Sequence, residues 1–359
     1  MLQPKFTITN EILVNIGMID ACREVVMNAA IVPAWEKQFV EDAVVRTVHY
    51  GTAIEGNALT LDQAREVLEG KEVTARERDV QEVLNYREVL KFIDRLGEKI
   101  GVDKDMELEY TVEMLLRIHA LTVDKIVDHD VGAYRKSEVI IRSVQSGEAS
   151  YKAPPAVEVP YLVEGMLGWL NTKEVRKLHP VLRAGIVHYL LAGIHPFVEG
   201  NGRVARAMAM LVLWAEGYDI RRLFSIEEYF DHDVHGYYAA LQAVSNQAKE
   251  VEDRDLTQWL EYFTEALGIE LSRVKEKVKR LSMDDRLKNK VGRQIALSER
   301  QIKMVEYMKE HEALFMRDAG ELLPGVSDDT LLRDLKDLME KGLVKKKGKT
   351  KAARYVLNS

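Results

Sequence analysis

The chain is poor in cysteine, proline and aromatic residues. Its 359 residues include one cysteine (Cys22) and eight prolines, and aromatic residues make up 7%. A single thiol excludes a disulfide framework and any structural zinc site built on several thiolates. No apolar run approaches the roughly 18 residues of a membrane span, so no membrane partner is expected. The first twenty residues place acidic Glu11 and Asp20 among the apolar ones and lack a signal-peptide layout, which points to a cytoplasmic protein. Nor is there an excess of positive charge. With 51 basic and 58 acidic side chains, the formal charge is −7. This argues against nucleic acid as a whole-surface partner and leaves only a local patch open.

What is present suits a globular chain. Hydrophobic residues reach 47% and charged residues 30%, enough apolar surface to offset the entropy of ordering. At about 150 residues per domain, the length suggests two or three domains. Apolar spacing of three and four predicts helices over 39–55, 60–68, 80–96, 112–126, 161–170, 181–194, 203–217 and 255–281. Gly56-Asn57 reads as a stop between the first two, and Thr60 with Gln63 as a capping box at the restart. The β-branched run Val139, Ile140, Ile141, a turn cluster at 145–148 and a return at 150–152 predict a β-hairpin. From Ser298 onward, three helices and a two-stranded basic wing predict a winged helix-turn-helix.

The chemistry concentrates at 195–206, where the sequence is His-Pro-Phe-Val-Glu-Gly-Asn-Gly-Arg-Val-Ala-Arg. Pro196 disfavours helical geometry at His195, so a helix should end there with the imidazole at its tip. Gly200, Asn201 and Gly202 form a tight turn, and a second helix starts near Arg203. Its free N–H groups and dipole make the turn an anion site. Arg203 and Arg206, three apart, share one face and reach one anionic ligand. Glu199 is a hard oxygen donor suited to Mg²⁺, and His195 is a candidate base. Together these residues describe a nucleotide phosphoryl-transfer site.

This stretch resembles the signature of the Fic family: His, any residue, Phe, any residue, Asp or Glu, Gly-Asn-Gly-Arg, two residues, Arg. Every fixed position is met. The hairpin upstream, Gly132-Ala133-Tyr134-Arg135, and Tyr151 before its proline pair are similar to the family as well. The resemblance implies a mainly α Fic-type bundle with a β-hairpin flap and a small C-terminal winged-helix domain. The implied divisions are 1–100 (inhibitory helical region), 101–254 (catalytic core), 255–297 (connecting helix) and 298–359 (winged helix). The implied activity is protein adenylyltransfer, moving AMP from ATP to a Ser, Thr or Tyr hydroxyl of a target protein or of the chain itself. By the same resemblance His195 is the base and Glu199 holds Mg²⁺ across the α- and β-phosphates. Asn201 and the turn N–H groups stabilise charge there, Arg203 binds the β-phosphate, Arg206 the γ-phosphate, and Phe197 anchors the turn. Val139, Ile140 and Ile141 belong to the target-docking flap.

Thr52-Ala53-Ile54-Glu55-Gly56-Asn57 resembles the family's inhibitory motif, with Gly51 where a Ser or Thr is usual four residues before Glu55. Glu55 at a helix C-terminus, where the dipole disfavours an anion, implies an opposing cation, and Arg206 is that partner. Two alternatives stand beside autoinhibited AMP transfer: removal of AMP, with Glu55 orienting water, and a DNA-binding regulator whose Fic core senses nucleotide.

Other chemistry-bearing residues have plainer readings. His188 with His195 and Glu199 lacks a catalytic-zinc spacing and reads as a core residue. His232 and His235 read as a polar helix start, Cys22 as a small core residue, and Tyr237-Tyr238 as packing or as a family position near the nucleotide base. Between Lys341 and Ser359 lie seven basic residues and no acid. Against duplex binding, Asp328, Asp329, Asp334 and Asp337 sit on the helix that would enter the groove, so protein contact or a homodimer ranks above DNA.

Overall fold

Two helices that have almost no polar face organise the larger part of the molecule. In the computed structural model, α8 (Pro180–Ile194) is buried at every position from Val181 to Leu191, and α9 (Asn201–Ala215) at nearly all of its length. Each must pack on all sides, as an all-round apolar helix requires. The three arginines among them are paired: Arg183 of α8 donates to Glu216 at 2.8 Å, and Arg203 and Arg206 of α9 face the site described below. The structure describes residues 2–29, 31, 33–102, 108–142, 149–281, 297–348 and 353–358. The hairpin turn cluster at 145–148, as well as Lys349 and Lys351, lies outside these residues.

The chain divides into two compact units, one of Met1–Asn28 and Val40–Lys277, the other of Ala29–Phe39 and Val278–Ser359. In the first unit α1 (Asn10–Met27), α2 (Pro33–Ala53), α3 (Leu61–Leu68), α4 (Glu77–Val102) and α5 (Val112–Thr122) precede the antiparallel hairpin β1 (Ile140–Arg142) and β2 (Ala149–Lys152). Next come α6 (Val159–Leu170), the single turn α7 (Lys173–Arg176), the α8–α9 pair, α10 (Ile226–His232), α11 (Val234–Ser245) and α12 (Thr257–Leu281). Only the part of α2 from Val40 onward belongs to this unit.

Most helix starts follow from capping chemistry. Thr60 and Gln63 form the reciprocal box expected at α3, and Thr111, Ser225 and Asp233 cap α5, α10 and α11 with side-chain oxygens. Each such cap contributes roughly 1 kcal/mol. Asp233 is what makes the stretch around His232 and His235 a helix start.

Among the described residues from 297 onward, the second unit has three helices on a small antiparallel sheet. Helices Glu299–His311, Met316–Leu322 and Asp328–Glu340 bury Ile302, Met308, Leu331, Leu335 and Leu338 against strands Leu314–Phe315 (β3), Val344–Lys347 (β4) and Arg354–Leu357 (β5). The sheet has three strands in the order β3-β5-β4, not the two expected, because the two-residue β3 is too short to announce itself. Two acids counted against DNA approach are engaged internally: Asp334 accepts from Arg300 at 2.7 Å, and Asp337 accepts from Gln301 and Lys341.

Gly185 in α8 shows how tightly the first unit is packed. A Cβ there would lie 2.9 Å from Leu260 Cδ2 and 3.0 Å from Phe263 Cδ1, while Trp259 Nε1 donates to the Gly185 carbonyl at 2.7 Å. Helix propensity alone favours Gly185→Ala by about 1 kcal/mol, but overpacking of this kind costs about 1–3 kcal/mol. The expected outcome is net destabilisation, read as a lower denaturant midpoint at unchanged slope.

Candidate active site

α8 ends where the sequence expects. His195 adopts φ 51°, ψ 59°, left-handed, and its N–H closes on Leu191 O at 3.0 Å. A non-glycine residue holds this conformation only when its surroundings over-determine it. They do: Arg135, 2% exposed, donates through Nε to His195 O at 2.8 Å, and its main-chain N–H donates to Pro196 O at 2.9 Å. The His195 imidazole is half-buried, with Nδ1 3.4 Å from Ala192 O. Burial pulls its pKa down to about 4, with the charge of Arg135 adding to the effect and Glu55 and the Ala192 carbonyl opposing it. The ring is therefore neutral at physiological pH. With the Nδ1 proton on Ala192 O, Nε2 carries the free lone pair of a base.

The turn after His195 is held from inside and outside. Gly200 has φ +78°, and a Cβ there would meet Val123 at 3.0 Å and Thr122 at 3.1 Å, so glycine is required for both reasons. α9 begins at Asn201, two residues before the expected start, which puts Asn201, Gly202 and Arg203 in its first turn. The resemblance gives Asn201 to a phosphate; the structure shows its amide bonded within the turn. Its amide accepts from Phe197 N and donates to Phe197 O, both at 2.9 Å, closing the turn on itself. Phe197 is fully buried and stacks face to face on His119 at 3.8 Å. His119 was not singled out from the sequence, because it looks like one more residue on the buried face of α5. Its Nδ1 accepts from Gly132 N at 3.1 Å, which leaves the proton on Nε2, 3.2 Å from Glu199 O. Burial keeps this ring neutral, its pKa pulled to about 4.

Arg203 and Arg206, each 2% exposed, share one carboxylate. Glu55 accepts from Arg203 Nε at 2.9 Å through one oxygen and from Arg206 Nη2 at 3.0 Å through the other. The sequence implied Arg206 alone. Burial works against ionisation of Glu55, but the two guanidinium charges and their hydrogen bonds outweigh it and hold the carboxyl below its usual range. Arg206 Nη2 also donates to Gly51 O at 2.6 Å. The lack of a side chain at Gly51, where the family motif carries Ser or Thr, has a steric cause. A Cβ at Gly51 would press on the Tyr86 ring, 2.5 Å from Cε1, so the ring of α4 occupies the space of a side chain. Thr52 gives no help to Glu55; its hydroxyl bonds back to Val48 O and His49 O.

The loop that carries Glu55 is pinned to α4. Asn57 donates to Asp79 O at 3.0 Å and to Glu82 Oε2 at 2.9 Å, and its own oxygen accepts from Leu59 N. Glu82 in turn lies 3.7 Å from Arg203 Nη1. Polar residues Asp79, Glu82 and Asn85 on the buried stripe of α4 were the available sequence signal for this role. Arg206 Nε and Arg203 Nη1 are buried without a hydrogen-bond partner among the described residues. They are donors awaiting an acceptor.

Glu199 stands at the mouth, its side chain 28% exposed, ion-paired with Arg78 of α4 and 3.6 Å from Arg203 Nη2. No cluster of three or more metal-ligating side chains occurs among the described residues. His188 is not part of a metal trio. It is fully buried, 3.1 Å from the Tyr237 hydroxyl and stacked on Trp259, with its pKa pulled to about 3 by burial. Cys22 is also buried. Beside the motif, Ile140 of β1 is 52% exposed and Val139 half-buried. The side chain of Ile141 lies outside the description. Tyr151 of β2 ties the hairpin to α8 by donating to Gly193 O at 2.8 Å.

Because Glu55 is ionised more readily in the folded state, its stabilising contribution is complete above the unfolded glutamate pKa of about 4.3. It is lost as pH falls through the lower folded value. Thermal melts of wild type and Glu55→Gln should therefore differ by a constant amount from pH 8 to about 5 and converge below that range.

Residues 109–213 match the Fic/DOC family, a span that contains the whole turn and excludes Glu55. A protein adenylyltransferase Fic of Drosophila grimshawi is 29% identical over 178 residues, covering 50% of this chain and 34% of that protein. Its counterpart in Drosophila erecta is 28% identical with the same coverage. The chain thus spans about a third of the length of the curated relatives it matches. A Fic family protein from Desulfovibrio desulfuricans G20 superposes with a TM-score of 0.66 at 24% identity, over 99% of this chain and 98% of that one. A Fic domain containing signaling protein from Bacteroides thetaiotaomicron gives 0.61 at 22% identity, over 75% and 100%. With its mainly helical fold and its His195 turn, the chain shares the fold of these Fic-family structures, and residues 109–213 are similar to the Fic/DOC family.

Proposed function

We propose that this chain is a protein adenylyltransferase held in check by its own Glu55. One observation carries the reading. Two buried guanidiniums in the first two turns of α9 are clasped by a carboxylate from another segment, at 2.9 and 3.0 Å, beside a neutral histidine. Carboxylate and phosphate compete for the same planar donors.

In the reaction, the hydroxyl oxygen of a target Ser, Thr or Tyr bonds to the α-phosphorus of ATP as the bond from that phosphorus to the β-phosphate bridging oxygen breaks. AMP stays on the target and pyrophosphate leaves. His195 Nε2 takes the hydroxyl proton, which its neutral state allows. The N–H groups at the start of α9 and the side chains of Arg203 and Arg206 hold the phosphates and meet the developing charge without reorganising. Glu55 on Arg206 denies the terminal phosphate its seat and leaves the α-phosphorus out of line.

Glu199 fits Mg²⁺: it is a single accessible carboxylate beside the phosphate turn, and a cation, the Arg78 guanidinium, already rests on it. When bound there, the metal would neutralise phosphate charge. The segment Val139, Ile140 and Ile141, with Ile140 exposed, is the proposed docking strand for the target segment. Exposed Lys346, Lys347 and Arg354 of the second unit form a proposed partner-binding face outside the chemistry.

ATP labelled at the α-phosphate tests the reading. Glu55→Gly should raise labelling of the chain and of added protein by about tenfold or more, and His195→Ala in that background should abolish it. Label that arrives only from the γ-phosphate, or none from either, contradicts the proposal. A second expectation concerns pH. Since His195 is held neutral down to about 4, the acid limb of kcat/KM for Glu55→Gly should fall below pH 6. An acid limb above pH 6.5 would remove His195 as the free-enzyme base.

A further inference from the structure

Arg135 closes the Gly132-Ala133-Tyr134-Arg135 stretch, and the chemistry above gives it no task. It is one of the largest fully buried side chains in the molecule. Every hydrogen bond its guanidinium makes among the described residues ends on a main-chain carbonyl. Nε donates to His195 O at 2.8 Å, Nη1 to Ser137 O at 3.0 Å, and Nη2 to Pro154 O at 2.6 Å and Ile194 O at 3.4 Å. A buried cation without a paired carboxylate is costly, so its location needs a reason.

The location supplies one. Ile194 is the last residue of α8 and His195 its C-cap, where carbonyls lack helical partners and the dipole is negative. A guanidinium there satisfies the orphaned oxygens and the helix end together. The other two acceptors flank the hairpin, Ser137 before β1 and Pro154 after β2. One planar group thus ties both ends of the hairpin to the residue whose backbone is left-handed.

We propose that Arg135 is a positioning residue: it locks the His195 backbone in its left-handed turn and couples that turn to the base of the hairpin, so the imaging of the target's hydroxyl onto the imidazole depends on it. The inference rests on the adenylyl-transfer reading for its catalytic consequence, while the lock itself is a structural statement. Lysine cannot replace it, because a compact ammonium lacks the planar fork of donors that reaches four carbonyls.

The test uses Arg135→Ala and Arg135→Lys in the Glu55→Gly background. Both should lower kcat for AMP transfer by about tenfold or more, while the KM for ATP stays within about twofold, since the nucleotide contacts are untouched. Guanidinium ion at millimolar concentration should restore part of the Arg135→Ala activity and none of the Arg135→Lys activity. Independently of activity, the His195 ring cross-peak in ¹³C-histidine protein, assigned by its loss in His195→Gln, should move in Arg135→Lys. An unchanged kcat, equal losses in kcat and ATP affinity, or a folded Arg135→Ala without guanidinium rescue overturns the proposal. Should Arg135→Ala not fold, Arg135→Lys decides by the same kcat-to-KM split and the same cross-peak. If Glu55→Gly itself transfers no AMP, the functional reading falls and the cross-peak alone decides the lock: moved supports it, unmoved overturns it.

Discussion

A carboxylate shared by two buried guanidiniums is the interaction on which the rest of the site depends. Arg203 and Arg206 project from a helix that is buried on all sides, so their charges are removed from most of their water. That removal costs several kcal/mol per ion unless a counter-charge is near. In this state Glu55 is that counter-charge, with one oxygen for each arginine. The same arrangement dictates the competition: whatever anion replaces Glu55 must also satisfy two donors about one helical turn apart, which a polyphosphate chain does.

The surroundings are built so that little else moves. Gly51 lends Arg206 a carbonyl and yields its side-chain space to Tyr86, whose hydroxyl donates to buried Glu227 at 3.1 Å. Asn201 closes the turn from within, His119 braces its far side against Gly132, and Arg135 holds the near side at His195. Most of these ties use main-chain groups, which fix geometry more firmly than pairs of flexible side chains. Glu55, by contrast, acts through its side chain from a loop that Asn57 ties to α4.

Much of this was legible in the sequence where the signal is local. The α8–α9 helices, the break at His195-Pro196, the glycine at 200 and the i, i+3 arginines follow from spacing and from backbone preferences, and all are within a few residues of their expected places. What escaped the sequence is long-range. His119 meets Glu199 across 80 residues, and Arg203 meets Glu55 across 148. No periodicity encodes such pairs. The departure at Gly51 also could not be explained until Tyr86 was seen to fill its space. Helix α10 went unread although Ser225 was a capping signal in plain view, of α11 only the start around His232 and His235 was read, and β3 is too short for any pattern. Asn201 has a part that its place in the motif did not announce: its amide closes the turn on Phe197.

A crystal structure of the Glu55→Gly protein with a non-hydrolysable ATP analogue and Mg²⁺ tests the account most directly. The account predicts the terminal phosphate on the Arg206 guanidinium, the α-phosphorus facing the His195 ring, and the wild-type protein unable to place both. A triphosphate bound identically in the presence of Glu55, or seated away from the first turn of α9, would contradict it.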